Sequence, residues 1–150
     1  MGLLGKKRDA RFAPLTPVPE MSDLPKAKLQ APARYLGTVT EDDVKVIGQS
    51  LSVQSSSRLN LARVGIDVVR IAGSFRIPAE ALRGASSGER FGGKYVESLL
   101  VVRWEHDEQQ WRTGFRMEPE KAVKSGGTPP DVDQWVRTIS KMARQAGGKQ

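Results

Sequence analysis

The chain has 150 residues, which is room for one domain with some length to spare. Lys and Arg number 24 against 17 Asp and Glu, giving a formal net charge of +7 and a pI near 10.0; this favours acidic partners such as nucleic acid or anionic lipid but carries no specificity. With no cysteine, disulfide frameworks and thiolate metal sites are excluded, and a reducing compartment suits the chain.

A bilayer span needs about 20 mostly apolar residues, and the longest apolar run here is Leu99 to Val102. The start, MGLLGKKRD, has no sustained hydrophobic region, and Lys6 follows Gly2 where a myristoylation site would place Ser or Thr. Residues 1–32 combine Pro14, Pro17, Pro19, Pro25 and Pro32 with Lys6, Lys7, Arg8, Arg11, Lys26 and Lys28. So few large apolar side chains cannot offset the chain entropy, so a disordered or polyproline-like basic arm is expected.

The folded domain is expected over 33–146, with 147–150 as a disordered tail. Tyr35, Gly37 and Val39 alternate with polar neighbours and predict a first strand ending near Thr40. Arg58–Val64 predicts a second strand with Leu59 and Leu61 on one face, and Asp67–Ala72 a third on which Val69 and Ile71 alternate. Phe75 and Ile77 form a short strand ended by Pro78, which cannot donate to a ladder. Ala79–Ala85 turns Leu82 inward as a strand or a single helical turn, and the Gly- and Ser-rich stretch Gly84–Lys94 reads as a loop or irregular hairpin.

Ser98–Glu105 is the strongest strand, with Leu99 and Val101 among core candidates in a run buried on both sides. After the corner His106, Asp107, Glu108, the chain returns as Gln109–Met117, with Trp111, Thr113, Phe115 and Met117 alternating against Arg112, Gly114 and Arg116. Asp131 caps a helix over Val132–Ala146, with Gln134 at the capping-box position. Val132, Trp135, Val136, Ile139, Met142 and Ala143 share one face, and Trp135 is expected to plug the core. The fold class is therefore mainly β: about seven short antiparallel strands in a barrel or sandwich, capped by a C-terminal amphipathic helix.

Three stretches invite chemistry. Gly88–Tyr95, GERFGGKY, approaches the phosphate-binding GxxxxGK[ST] loop, but Tyr95 stands at the hydroxyl position and strand-like sequence follows where a helix is required. A hairpin loop exposing Arg90 and Lys94 explains the same letters. His106, the single histidine, lies in Glu105-His106-Asp107-Glu108; neighbours in a tight turn point apart, and no second His or Cys completes a transition-metal site. Serines are common, yet no GxSxG elbow accompanies them. No enzyme, cofactor or small-molecule substrate is supported. Arg58, Arg63, Arg70, Arg76, Arg83, Arg90, Lys94 and Arg103 would form basic stripes that keep nucleic-acid binding as an alternative, although the aromatics occupy core-like positions rather than stacking platforms.

The stretches RFAPLTPVPE (11–20), RYLGTV (34–39), SFRIPAEALRGA (74–85), GGK (92–94), LLVVRWEHD (99–107) and TGFR (113–116) together resemble an actinobacterial family of pleckstrin-homology-like (PH-like) membrane proteins, usually encoded near pyrimidine-biosynthesis genes. The resemblance implies a barrel of two bent antiparallel sheets capped by a helix, and no catalytic residues. It also implies a transmembrane helix ahead of the RFAPLTPVPE-like linker. Because this chain begins almost at that linker, the expectation is either a soluble member or one whose anchor lies outside this sequence. A PH-like ligand site would lie at the open barrel end by the loop after the first strand, where Glu41, Asp42 and Asp43 outnumber Lys45 and disfavour phosphoinositide headgroups. The functional expectation is a non-catalytic interaction module, cytoplasmic or peripheral at the inner membrane surface, that docks a protein partner, with Lys6, Lys7, Arg8, Arg11, Arg90 and Lys94 as candidate contacts to an anionic membrane surface.

Overall fold

A computed structural model of the chain describes residues 12–19, 26–119 and 130–147. Among these residues, seven antiparallel strands, β1 (Leu29–Thr40), β2 (Ser55–Ala62), β3 (Gly65–Arg70), β4 (Phe75–Pro78), β5 (Leu82–Phe91), β6 (Lys94–His106) and β7 (Gln109–Met117), precede the helix α1 (Val132–Gly147). They form one continuous sheet in the order β4-β3-β2-β1-β7-β6-β5, rather than two separate sheets. The cause is β1, whose first part, Leu29 to Tyr35, pairs with β2 while Ala33 to Thr40 pairs with β7. A register shift between Tyr35 and Gly37 bends the strand between those two commitments.

Several expected boundaries move for identifiable reasons. β1 begins at Leu29, inside the stretch expected to be a disordered arm, and Lys28 N–H donates to the Leu61 carbonyl at 2.7 Å. Pro32 is tolerated because the β7 ladder starts only at Ala33, leaving one flank of β1 without a donor requirement there. Of the two readings of Gly84–Lys94, the irregular hairpin holds: β5 runs through it to Phe91 with register shifts against β6, and Gly92 and Gly93, at φ 62° and 82°, make a two-residue turn directly into β6. On β3 the buried apolar side chains are Ile66 and Val68, and Ile71 falls in the following turn, fully exposed, so the alternation of Val69 with Ile71 does not mark the core face.

The interior gathers Tyr35, Leu59, Leu61, Ile66, Phe75, Ile77, Leu100, Val102, Trp104, Trp111 and Phe115 under Trp135, Ile139 and Met142 of α1. Asp131 Oδ1 accepts from the Gln134 N–H at 3.1 Å, capping the helix as its sequence signals. The helix packs on β5, β6 and the short 3₁₀ turn Ala79–Ala81. Trp111, Phe115, Trp135 and Ile139 join this core, whereas Leu99 and Val101 are buried on the opposite face of the sheet.

At the centre, polar side chains are paired in a chain whose direction the chemistry dictates. The Trp104 indole N–H can only donate, and does so to Thr113 Oγ1 at 2.9 Å; at the other end the Leu51 carbonyl can only accept, from Tyr35 Oη at 2.7 Å. Thr113 must then donate to Thr38 (2.8 Å), and Thr38 to Tyr35 (2.7 Å), so each hydroxyl gives one proton and takes one. The Arg70 guanidinium lies over the Tyr35 ring, 4.3 Å from its centroid, and donates to the Gly73, Ser50 and Gln49 carbonyls. Burial lowers the Arg70 pKa, with the neighbouring Tyr35 acting against that shift. Burial pushes the Tyr35 phenol up to about 12, with Thr38 and Arg70 pulling in the other direction.

Two outcomes follow. Thr113→Val keeps the shape but leaves the buried Trp104 N–H without an acceptor and Thr38 without its donor, and should lower unfolding stability in denaturant by about 1–3 kcal/mol; an unchanged midpoint would contradict the directional chain. The Tyr35 pKa is raised on folding, so its contribution to stability is complete below pH 10 and lost as pH climbs from 10 towards 12. In a Tyr95→Phe background, where Tyr35 is the single tyrosine, phenolate absorbance should rise around pH 12 in the folded protein.

Candidate functional site

Two features on the sheet's surface have the shape of a site. The first is a cleft of about 490 Å³ between β1, the β1–β2 loop and the tip of the β5–β6 hairpin. Leu36, Val39, Phe91 and Val96 provide apolar walls; Lys45, Lys94 and Arg116 supply positive charge against Glu97. The hairpin tip reaches this position because Phe91 lies over Gly114 of β7, where an added Cβ would sit 2.8 Å from the ring. Arg116 is held by Glu118 at 3.0 Å, while Lys45 and Lys94 have no ion-pair partner among the described residues. Tyr95, 66% exposed, stands on the rim.

The second feature is the end of the sheet where the β1–β2 loop, the β3–β4 turn and the β6–β7 turn converge, the position expected for a PH-like ligand. It is closed from inside by Arg70 and from outside by residues 12–16. The Phe12 ring meets Trp111 edge-on at 4.9 Å and His106 at 6.0 Å. The Ala13 N–H donates to Asp107 Oδ2 (2.9 Å), and its carbonyl faces His106 Nε2 (2.8 Å) and Gln49 Nε2 (3.3 Å). Gln49 Oε1 accepts from the Leu15 N–H (2.9 Å), and the Thr16 carbonyl accepts from the Arg76 N–H (2.8 Å). Arg76 in turn grips buried Asp67 through both carboxylate oxygens, at 2.6 and 3.1 Å, which raises the Arg76 pKa.

The sequence-derived candidates therefore separate. Lys94 lines the cleft; Arg90 is exposed on the same hairpin and directs one long bond of 3.5 Å to the Gly93 carbonyl. Lys6, Lys7, Arg8 and Arg11 lie outside the described residues. The GERFGGKY stretch straddles a β-turn with strand on both sides, so no helix N-terminus faces it. The acidic histidine corner is a clasp: Glu105 accepts from Arg83 and Gln110, both at 2.9 Å, while His106 and Asp107 hold Ala13. No cluster of three or more metal-ligating side chains occurs among the described residues.

The anticipated arginine stripes are dispersed as well. Arg70 is buried, Arg76 and Arg83 are ion-paired, and the Arg103 guanidinium lies against Gly84, whereas Arg63, Arg90 and Lys94 are exposed. Phe12 and Gln49 were not singled out from sequence; the available signal was that Phe12 is the single aromatic among residues 1–32.

The family model described as bacterial PH domain-like matches residues 13–126, from within the segment across the open end to beyond β7. The chain belongs to the bacterial PH domain-like family. Seven antiparallel strands followed by a C-terminal helix agree with that membership, and α1 itself lies beyond the matched residues. None of the curated proteins compared matches the chain. Domains of this kind are generally non-catalytic and commonly mediate protein or lipid interactions. Among the described residues no helix is long and apolar enough to cross a membrane.

The geometry makes the cleft depend on one glycine. Gly114→Ala places a methyl group where the Phe91 ring sits, so the hairpin tip should lift; NMR shift changes should concentrate at residues 90–97 and 36–39 and leave α1 unchanged. Shifts spread evenly over the sheet would show that the tip is not seated through this contact.

Proposed function

We propose that this PH-like domain is a non-catalytic interaction module that docks a protein partner near the inner surface of a membrane. The observation that carries the reading is the cleft: apolar walls opening to solvent beside exposed Tyr95 and the cations Lys45 and Lys94, which have no ion-pair partner among the described residues. A single carboxylate, Glu97, with no histidine in the lining, is suited to binding rather than to acid–base chemistry. Tyrosine with a nearby cation is a common composition for a docking hot spot, because the ring buries area at little entropic cost. Exposed Ile71 and half-exposed Val53, joined through Arg70, add an apolar rim at the open end that suits docking close to a bilayer.

The resemblance seen in the sequence adds an actinobacterial, membrane-associated setting, with Lys6, Lys7, Arg8 and Arg11 as contacts to anionic lipid. The nucleic-acid alternative loses support at Arg70, Arg76 and Arg83, which are engaged by carbonyls or carboxylates.

A pull-down from native extract with the full chain and with a Tyr95→Ala, Lys94→Glu variant tests this reading. A protein retained by the parent and reduced at least tenfold by the variant supports the cleft; equal capture argues against it. The lipid contribution is read by co-sedimentation with phosphatidylserine vesicles. Because β1 starts at Leu29 and residues 12–16 are seated on the sheet, the informative truncation removes residues 1–11 alone.

A further inference from the structure

We infer that the open end of the domain is a receptor for an extended peptide, and that residues 12–16 are its resident occupant, displaceable by a partner segment with an aromatic residue three positions ahead of an aliphatic one. The argument begins with what is recognised. Five of the contacts to this strap go to four backbone groups: the Ala13 N–H and carbonyl, the Leu15 N–H and the Thr16 carbonyl. The Gln49 carboxamide engages Ala13 and Leu15, residues i and i+2, in the way a neighbouring strand would. The Arg76 N–H continues the pairing on the outer edge of β4, a strand whose other flank is already taken by β3.

Backbone contacts of this kind hold any extended segment, while side-chain pockets select among segments. Selection here comes from Phe12 on Trp111 and His106, and from Leu15, partly buried against the core.

The strap is also weakly held. Its hydrogen bonds to Gln49 and Asp107 are exposed, each worth on the order of 0.5–1.5 kcal/mol, against a cost of about 1–2 kcal/mol for every residue fixed. The fit is incomplete too, because the Trp111 indole N–H, fully buried, has no acceptor among the described residues. A partner segment that meets it with an acceptor gains over the resident one. Such exchange places the receptor under its own strap's control: tethered by a short linker, the strap acts at an effective concentration in about the millimolar range, and a competitor must exceed that.

This inference shares with the interaction-module reading the expectation of a protein ligand, but uses a different surface, so its failure would leave the cleft, tested through Tyr95 and Lys94, standing. The probe is a fluorescein-labelled peptide of residues 10–19, ARFAPLTPVP, titrated by anisotropy into the full chain and into full-chain Phe12→Ala. Cooperative thermal melting of both proteins is checked first, and strap release is followed by hydrogen exchange at the Leu15 amide. The expected result is faster exchange in Phe12→Ala with peptide affinity at least tenfold above the parent's, reduced at least tenfold by Gln49→Ala in the same background and by replacing the peptide's phenylalanine with alanine. Release without peptide binding overturns the proposal, and so does unchanged Leu15 exchange in Phe12→Ala, because the aromatic anchor would then not be what seats the strap.

Discussion

The rest of the structure depends on the buried line of hydroxyls that starts at the Trp104 indole and ends at the Leu51 carbonyl. It crosses three strands and one loop, and each member is placed by the next: Thr113 on β7 and Thr38 on β1 face each other because the bulge after Tyr35 resets the β1 register. Once Tyr35 is fixed, its ring becomes the platform for Arg70, and Arg70 gathers the carbonyls of the β1–β2 loop and the β3–β4 turn. A buried cation over an aromatic face, satisfied by carbonyls instead of a carboxylate, stabilises the closed end without spending a negative charge there. The acidic residues of the β1–β2 loop are then available elsewhere, as Asp43 shows by pairing with Arg112.

That closure divides the molecule's surface into two places where something can bind. The open end, where members of the fold class would be searched first, is filled by the chain's own residues 12–16, held mainly through backbone groups. The cleft beside it is built by the opposite device, a long hairpin folded over so that Phe91 covers a glycine and leaves Lys94 and Tyr95 at the rim. The loop from Thr40 to β2 contributes to both, sending Lys45 to the cleft and Gln49 to the strap. Occupancy at one is therefore adjacent to the other, and a partner large enough to cover Tyr95 would approach the loop that carries Gln49.

Legibility in the sequence followed burial. β7 was readable to the residue because one face meets the core and the other meets solvent, so the period of two is written in its letters; α1 was readable because Asp131 caps it and Trp135, Ile139 and Met142 fall on one face. β5 was readable only as a loop or irregular hairpin because Ser86 to Arg90 are exposed on both faces, and a strand with no buried side leaves no alternation to find. Leu29–Pro32 was hidden by a proline tolerated only because β1 has a single ladder at that point. Of the candidate contacts, Lys94 was visible as an exposed cation, but nothing local placed it beside Leu36 and Lys45.

The sequence by itself determined the class of the fold, its strongest strands and the terminal helix, since these rest on periodicity and residue type within short windows. Only the tertiary structure decided that one bent strand joins the two halves into a single sheet, that His106 and Asp107 clasp Ala13, and that Gln49 reads the backbone of residues 13–15. Those contacts join residues 34 to 94 positions apart, and their partners are backbone groups that every residue carries. No local pattern marks which of them will meet.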